Sequence, residues 1–226
     1  MKVERLTGLL EKRYGIPPKR KGQYPLDVLI LTILSQNTND QNRDQAFQRL
    51  KNQFPRWEDV LNAKAQALVR AIRPGGLANQ KAKRIPEILR WIKEHYGKLT
   101  LGPLKEMDSE EIKKTIGGLK GVGPKTLCCL LLFGLGREAF PVDTHILRVG
   151  KRIGFIPKEM VAEEAHRWME PLVAKGKCLS LHLNLIRFGR EVCRAKTPQC
   201  TTCFVARRCN SVAEKSNQNK TEYSNP

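Results

Sequence analysis

No stretch of this sequence is apolar for long enough to span a bilayer, and no apolar signal segment follows Met1. The expected compartment is therefore a reducing cytosol, where thiols stay free or bind metal. Acidic residues are scarce as well. There are 22 Asp and Glu against 41 Lys and Arg, a net charge of +19. The last sixteen residues, Ser211 to Pro226, carry two Lys and two Glu, so the excess lies on the folded body. Such an excess calls for a polyanion partner, most simply DNA or RNA. An anionic membrane surface is the alternative, but no basic amphipathic helix stands beside a lipid anchor. There is no internal repeat, and only the polar C-terminus is low in complexity. Residues 213–226 are expected to be disordered.

Strand signals are nearly missing too, and helical periodicity dominates. Pro25 opens a run apolar almost all round (Leu26, Leu29, Ile30, Ile33, Leu34), the mark of a buried helix. It ends in the polar patch Ser35 to Asp40. Helical spacing continues through Ala46, Phe47, Leu50 and Phe54, and then through Leu61, Ala65, Leu68 and Ile72, until Arg73-Pro74-Gly75-Gly76 breaks it. Ile85, Ile88, Leu89, Ile92 and Tyr96 form a further stripe. Leu179, Leu181, Leu183 and Leu185 alternate with polar residues as a strand would. No other segment supplies a partner strand, and a lone strand leaves its backbone unpaired, so this segment also reads as helix. The fold class is all-α.

What the chain does have is a cysteine module. Cys193, Cys200, Cys203 and Cys209 are spaced C-x6-C-x2-C-x5-C within 17 residues. Four soft thiolates in so short a run can enclose one metal centre, either an iron–sulfur cluster or zinc. Zinc more often uses two paired C-x2-C knuckles, and only one is present. Two disulfides are the third reading. Cys128, Cys129 and Cys178 sit among apolar residues and read as buried core.

A second motif lies between Asp108 and Phe133. Asp108-x-x-Glu111 has the form of a capping box before a short helix. Leu119-Lys120-Gly121-Val122-Gly123-Pro124-Lys125-Thr126 then allows a tight turn, with Pro124 suited to the first position of the next helix. The amides of Gly121, Val122 and Gly123 would face phosphate oxygens, a helix–hairpin–helix pattern that reads backbone rather than bases. An ordinary helix connection is the plain alternative. Lys125 stands in the first turn of a helix, the wrong end for a cation, with eleven uncharged residues after it. Such a lysine has reason to lose its proton and serve as a nucleophile. A phosphate-contacting lysine is the other reading. Asp143, in Phe140-Pro-Val-Asp-Thr-His-Ile146, precedes a helical stripe and reads as an N-cap. His145 reads as structural.

These three motifs, in this order and at these separations, resemble the endonuclease III family of DNA glycosylases from about Pro25 to Cys209. The resemblance implies a two-lobed helical fold: a six-helix lobe over 24–137, with its helix–hairpin–helix at about 108–133, and a cluster-bearing lobe from 1–23 and 138–212. It implies a [4Fe–4S] cluster on Cys193, Cys200, Cys203 and Cys209. It puts the catalytic lysine on Lys125 and the catalytic aspartate on Asp143. The target nucleotide would be flipped out of damaged duplex DNA into a pocket between the lobes. Lys125 would attack C1′, expel the base and form a Schiff base, and β-elimination would then cut the strand. Leu77, in Gly-Leu-x-Asn-x-Lys, matches the family's apolar wedge. Asn37, with Gln36 beside it, matches the filler of the vacated space, in a loop that departs from the usual Leu-Ser-x-Gln.

Related mismatch-specific glycosylases usually carry another residue in place of the lysine. The adenine-specific branch usually has a further C-terminal domain, for which the 17 residues after Cys209 are too few. Oxidised pyrimidines and abasic sites are thus the expected substrates, met by a monomer in the cytoplasm, or at the nucleoid in a prokaryote. A mismatch glycosylase, a non-catalytic DNA-binding iron–sulfur protein and a zinc-bound adaptor are the alternatives.

Overall fold

The computed structural model describes residues 1–18 and 24–214. Among these there is no strand. The helices in chain order are α1 (Val3–Tyr14), α2 (Pro25–Leu34), α3 (Asp40–Gln53), α4 (Trp57–Asn62), α5 (Ala65–Ile72), α6 (Ala78–Tyr96), α7 (Ser109–Gly117), α8 (Pro124–Cys129), α9 (Thr144–Ile153), α10 (Ala162–Met169) and α11 (Cys178–Glu191). The chain divides into two compact units, Arg20–Arg137 and Met1–Lys19 with Glu138–Pro226.

In the Arg20–Arg137 unit, α2 is the central element. Pro25, Leu26, Val28, Leu29, Ile30, Ile33 and Leu34 are all buried. Burying an aliphatic side chain contributes about 1.5–3 kcal/mol, so α2 is held by packing rather than by end caps. It packs against α3, α6, α8 and the turn that follows α8. The stripe expected to run unbroken from Leu61 to Ile72 is two helices. Ala63 is extended (ψ 146°) and Lys64 caps α5. After α8 the hydrogen bonds widen to a π turn, Leu130–Gly134, closed by Leu135 N to Leu130 O at 3.0 Å. Side-chain periodicity is nearly blind to such a one-residue widening. The capping box is complete: Asp108 Oδ1 accepts from Glu111 N (2.8 Å), and Glu111 Oε2 accepts from Asp108 N (2.7 Å).

In the other unit, α11 packs on α1 and α9. The alternating segment is indeed helical. Its polar residues are buried and paired, which produced the misleading period. Ser180 donates to Glu11 (2.6 Å), Asn184 donates to Gly15 O (2.9 Å), and His182 Nδ1 bonds Pro141 O (2.8 Å). Burial alone would raise the Glu11 carboxyl. The bonds from Ser180 and Lys177 outweigh it and hold the group below the ordinary range. Ala213 and Glu214 close a helical turn over 210–214, anchored by the Cys209 carbonyl and the Lys158–Glu214 ion pair at 2.6 Å. Order thus extends two residues past the expected limit at 212. The rest of the tail expected to be disordered, 215–226, lies outside the described residues.

Candidate functional site

In the Arg20–Arg137 unit the structure brings Gln36, Asn37, Leu77 and the hairpin together. The connection 118–123 joins α7 to α8. Its turn is closed by Val122 N donating to Leu119 O at 2.9 Å, with Val122 buried beneath it. The Val122 amide is thus hydrogen-bonded within the turn. Gly121 and Gly123 differ. Gly121 has φ +92°, and a Cβ there would collide with the Arg84 side chain. Gly123 has φ −90° and ψ 179°, ordinary extended backbone, with nothing within 4 Å of a Cβ. Lys125 follows in the first turn of α8 and is exposed.

Gln36 and Asn37 play different parts. Gln36 Nε2 donates to Gly121 O (2.9 Å), while its Oε1 accepts from Arg84 Nη1 (3.1 Å). Both ends of this amide are engaged within the unit. Asn37 is exposed and left-handed, φ 53°. Leu77, 47 % exposed, is also left-handed, φ 47°, as the N-cap residue of α6. Among the described residues these are the only non-glycines with positive φ. Each costs on the order of 1 kcal/mol, a conformation that persists only where its surroundings impose it. The two loops touch: a Cβ on Gly76 would lie 3.6 Å from Asn37 O. Lys81, 1 % exposed, donates to Leu34 O (2.6 Å), Gln36 O (2.7 Å) and Gly75 O (2.8 Å). Burial, followed by the neighbouring Arg84 charge, lowers its amine to about 8, while the three carbonyls favour the charged form.

In the other unit, Asp143 is the N-cap of α9. Its Oδ1 accepts from Ile146 N at 2.8 Å, and its Oδ2 has no hydrogen-bond partner among the described residues. Arg148 and Arg152 reach from α9 to the cysteine segment. Arg148 Nε donates to Cys193 O (3.2 Å), Arg152 Nη1 to Arg194 O (2.6 Å) and Arg152 Nη2 to Ala195 O (2.8 Å). Arg152 Nη1 also lies 3.6 Å from Cys193 Sγ. His145 Nδ1 meets Arg148 Nη2 at 3.1 Å.

Cys193, Cys200, Cys203 and Cys209 line one cavity of about 200 Å³, with Ile153, Phe188, Val192 and Val205 among its walls. All seven cysteines are free, so no disulfide competes for them. Burial raises the Cys203 thiol, and Cys193, Cys209 and Cys200 add to that rise against the Val205 amide, as neighbouring thiols must. No three His, Cys, Asp or Glu side chains among the described residues are placed to hold a single ion. One zinc would need its thiolates converging at about 2.3 Å. The cavity wall also carries Arg152, Lys196, Gln199 and Ser211, and four cysteines around one volume match the donor set of a four-cysteine iron–sulfur cluster. Cys128, Cys129 and Cys178 are buried, and burial drives the Cys178 thiol up to about 12.

Residues 30–172 match the family of HhH-GPD superfamily base excision DNA repair proteins. The chain belongs to this superfamily. Within it, the chain is a homologue of endonuclease III. It is 32% identical over 207 residues to endonuclease III of Thermotoga maritima, covering 92% of each chain. An Arabidopsis thaliana protein provisionally named a DNA glycosylase is 46% identical over 133 residues, 59% of this chain but only 45% of the plant protein. Among solved structures, a non-covalent endonuclease III–DNA complex superposes with a TM-score of 0.80 at 25% identity, over 95% of this chain and 97% of that one. In this HhH-GPD protein, sequence reasoning missed Lys81, Arg84, Arg148 and Arg152. Apart from Gly75 for Lys81 and His145 for Arg148, their partners lie 40 or more residues away, and only the fixed place of Lys81 four residues after Leu77 hinted at a role.

Proposed function

We propose that this protein is a base-excision DNA glycosylase with abasic-site lyase activity, acting on oxidised pyrimidines in duplex DNA as a monomer. The observation that carries this reading is the exposed amine of Lys125, mounted in the first turn of α8 directly after the hairpin. A nucleophile there travels with the element that grips the phosphates. The unprotonated amine attacks C1′ of the extruded nucleotide. The C1′–N bond breaks, and the base leaves with the electron pair and gains a proton. The sugar ring opens to a Schiff base between C1′ and Nζ. Loss of a proton from C2′ then expels the 3′ phosphate, and water releases the lysine.

Asp143 contributes a carboxylate whose Oδ1 accepts from Ile146 N, and its second oxygen is the one left for the reaction. It stabilises positive charge on the sugar or accepts the lysine proton. Gly121 and Gly123 approach phosphates, with the net charge of +19 adding salt-sensitive attraction. Leu77 enters the base stack and Asn37 fills the vacated space, while Gln36 braces the hairpin. Cys193, Cys200, Cys203 and Cys209 hold a [4Fe–4S] cluster that organises the segment 193–209. Its place in the cell is the cytoplasm. Among the described residues no helix is long and apolar enough to cross a membrane.

The test is borohydride trapping on duplexes carrying thymine glycol, a mismatch or an abasic site. Trapping and nicking of the first and last are expected. Release of a mismatched base without trapping would favour the mismatch-specific alternative, and binding without base release or nicking would favour a non-catalytic module.

A further inference from the structure

Lys81 is a buried cation that the reaction above does not use. Its chain position ties it to the wedge, because its backbone N donates to Leu77 O at 3.0 Å. Its side chain then crosses to the other loop. The three protons of the ammonium meet three carbonyls: Leu34 at the end of α2, Gln36 next to Asn37, and Gly75 two residues before Leu77. We propose that Lys81 is a positioning residue, an ammonium clamp that joins the Asn37 and Leu77 loops and presets both side chains to enter the duplex together. This inference rests on the function proposed above.

Two observations carry it beyond ordinary core stabilisation. The only two left-handed non-glycines of the described chain are Asn37 and Leu77, and the clamp grips the backbone within two residues of each. A strained conformation at both positions needs an outside restraint, and a loop fixed before binding does not lose that freedom when DNA arrives. Gln36 and Arg84 extend the same set of bonds to Gly121, so wedge, filler and hairpin share one framework.

The experiment compares single-turnover nicking of an abasic site in duplex with nicking of the same strand alone, where no partner base has to be displaced. Lys81→Met keeps the length and removes every donor. The duplex rate should fall by about tenfold or more while the single-strand rate stays within about twofold, because positioning is needed only for the paired substrate. Added to Leu77→Ala, the change should cost less than it does alone, since both act through the wedge. If Lys81→Met does not yield folded protein, Lys81→Arg keeps the charge but cannot address three carbonyls from one nitrogen, and its ratio of rates should shift the same way. Rates on the two substrates that fall together, or both stay at the wild-type value, overturn the clamp. Wild-type protein that nicks neither substrate overturns the proposed function itself, and the clamp falls with it.

Discussion

The two units hold their functional residues in place by different means. In the Arg20–Arg137 unit, the loops bearing Asn37, Leu77 and Gly121 are fixed by the chain's own bonds, through Lys81, Gln36 and Arg84. In the other unit, the cysteine segment buries Val205 and sets Phe204 against Phe188. All four of its cysteines are partly exposed, and the guanidinium groups of Arg148 and Arg152 tie the segment to α9. The first arrangement is complete without a ligand. The second places four cysteines around one cavity, where the proposed cluster would bind. Precision in a DNA-reading loop comes from satisfying buried polar groups internally, whereas a short ligand-rich segment takes its stability from what it binds.

The largest expected effect concerns the proposed nucleophile in the Arg20–Arg137 unit. Lys125→Ala should reduce nicking and borohydride trapping to background while duplex binding persists, because phosphate contacts dominate affinity. Trapping of Lys125→Ala at the wild-type rate on thymine-glycol duplex would end the nucleophile assignment. Next in size is the metal-side test. Cys203→Ala should speed hydrogen exchange across 193–209 by roughly a hundredfold, equivalent to about 3 kcal/mol of local stability, and leave the amides of α2 and α6 unchanged. Equal loss in both units would erase the contrast drawn here. Iron and sulfide analysis of anaerobically purified protein sharpens it, and stoichiometric zinc without iron would refute the cluster.

Asp143→Asn comes third. Asn caps a helix about as well as Asp, so the thermal midpoint should barely move while base release slows by roughly 10²-fold. A large drop in stability with an unchanged rate would make Asp143 a cap and nothing more. The smallest effect distinguishes the hairpin glycines. Gly121→Ala forces a side chain to φ +92° and into Arg84, so it should cost about 1–2 kcal/mol of stability and weaken abasic-duplex binding severalfold. Gly123→Ala fits the free protein, so any weakening comes from the approach of DNA alone. Anisotropy titrations over a salt series, paired with thermal melts, tell the two apart. Identical behaviour of both variants would remove the asymmetry.

Much of this was legible in the residues. The buried helix after Pro25, the capping box of Asp108 and Glu111, the hairpin glycines and the grouping of four cysteines all depend on local spacing, and local spacing is what a sequence displays. The N-cap at Asp143 was legible for the same reason, and its geometry leaves room for a second role, since a cap uses one carboxylate oxygen. The alternating leucines of α11 were harder, because Ser180, His182 and Asn184 look like a solvent face until their buried partners are seen.

The sequence by itself determined the helical class, the family, the charge that calls for a polyanion, and the candidates Lys125, Asp143, Leu77 and the four cysteines. Tertiary structure alone decided that Gln36 braces the hairpin while Asn37 is exposed, and that Lys81 joins two loops. The bonds from Gln36 to Gly121 and from Lys81 to Leu34 and Gln36 pair residues tens of positions apart. No local pattern encodes them, because they exist only once packing has brought a buried donor within reach of carbonyls that water can no longer serve.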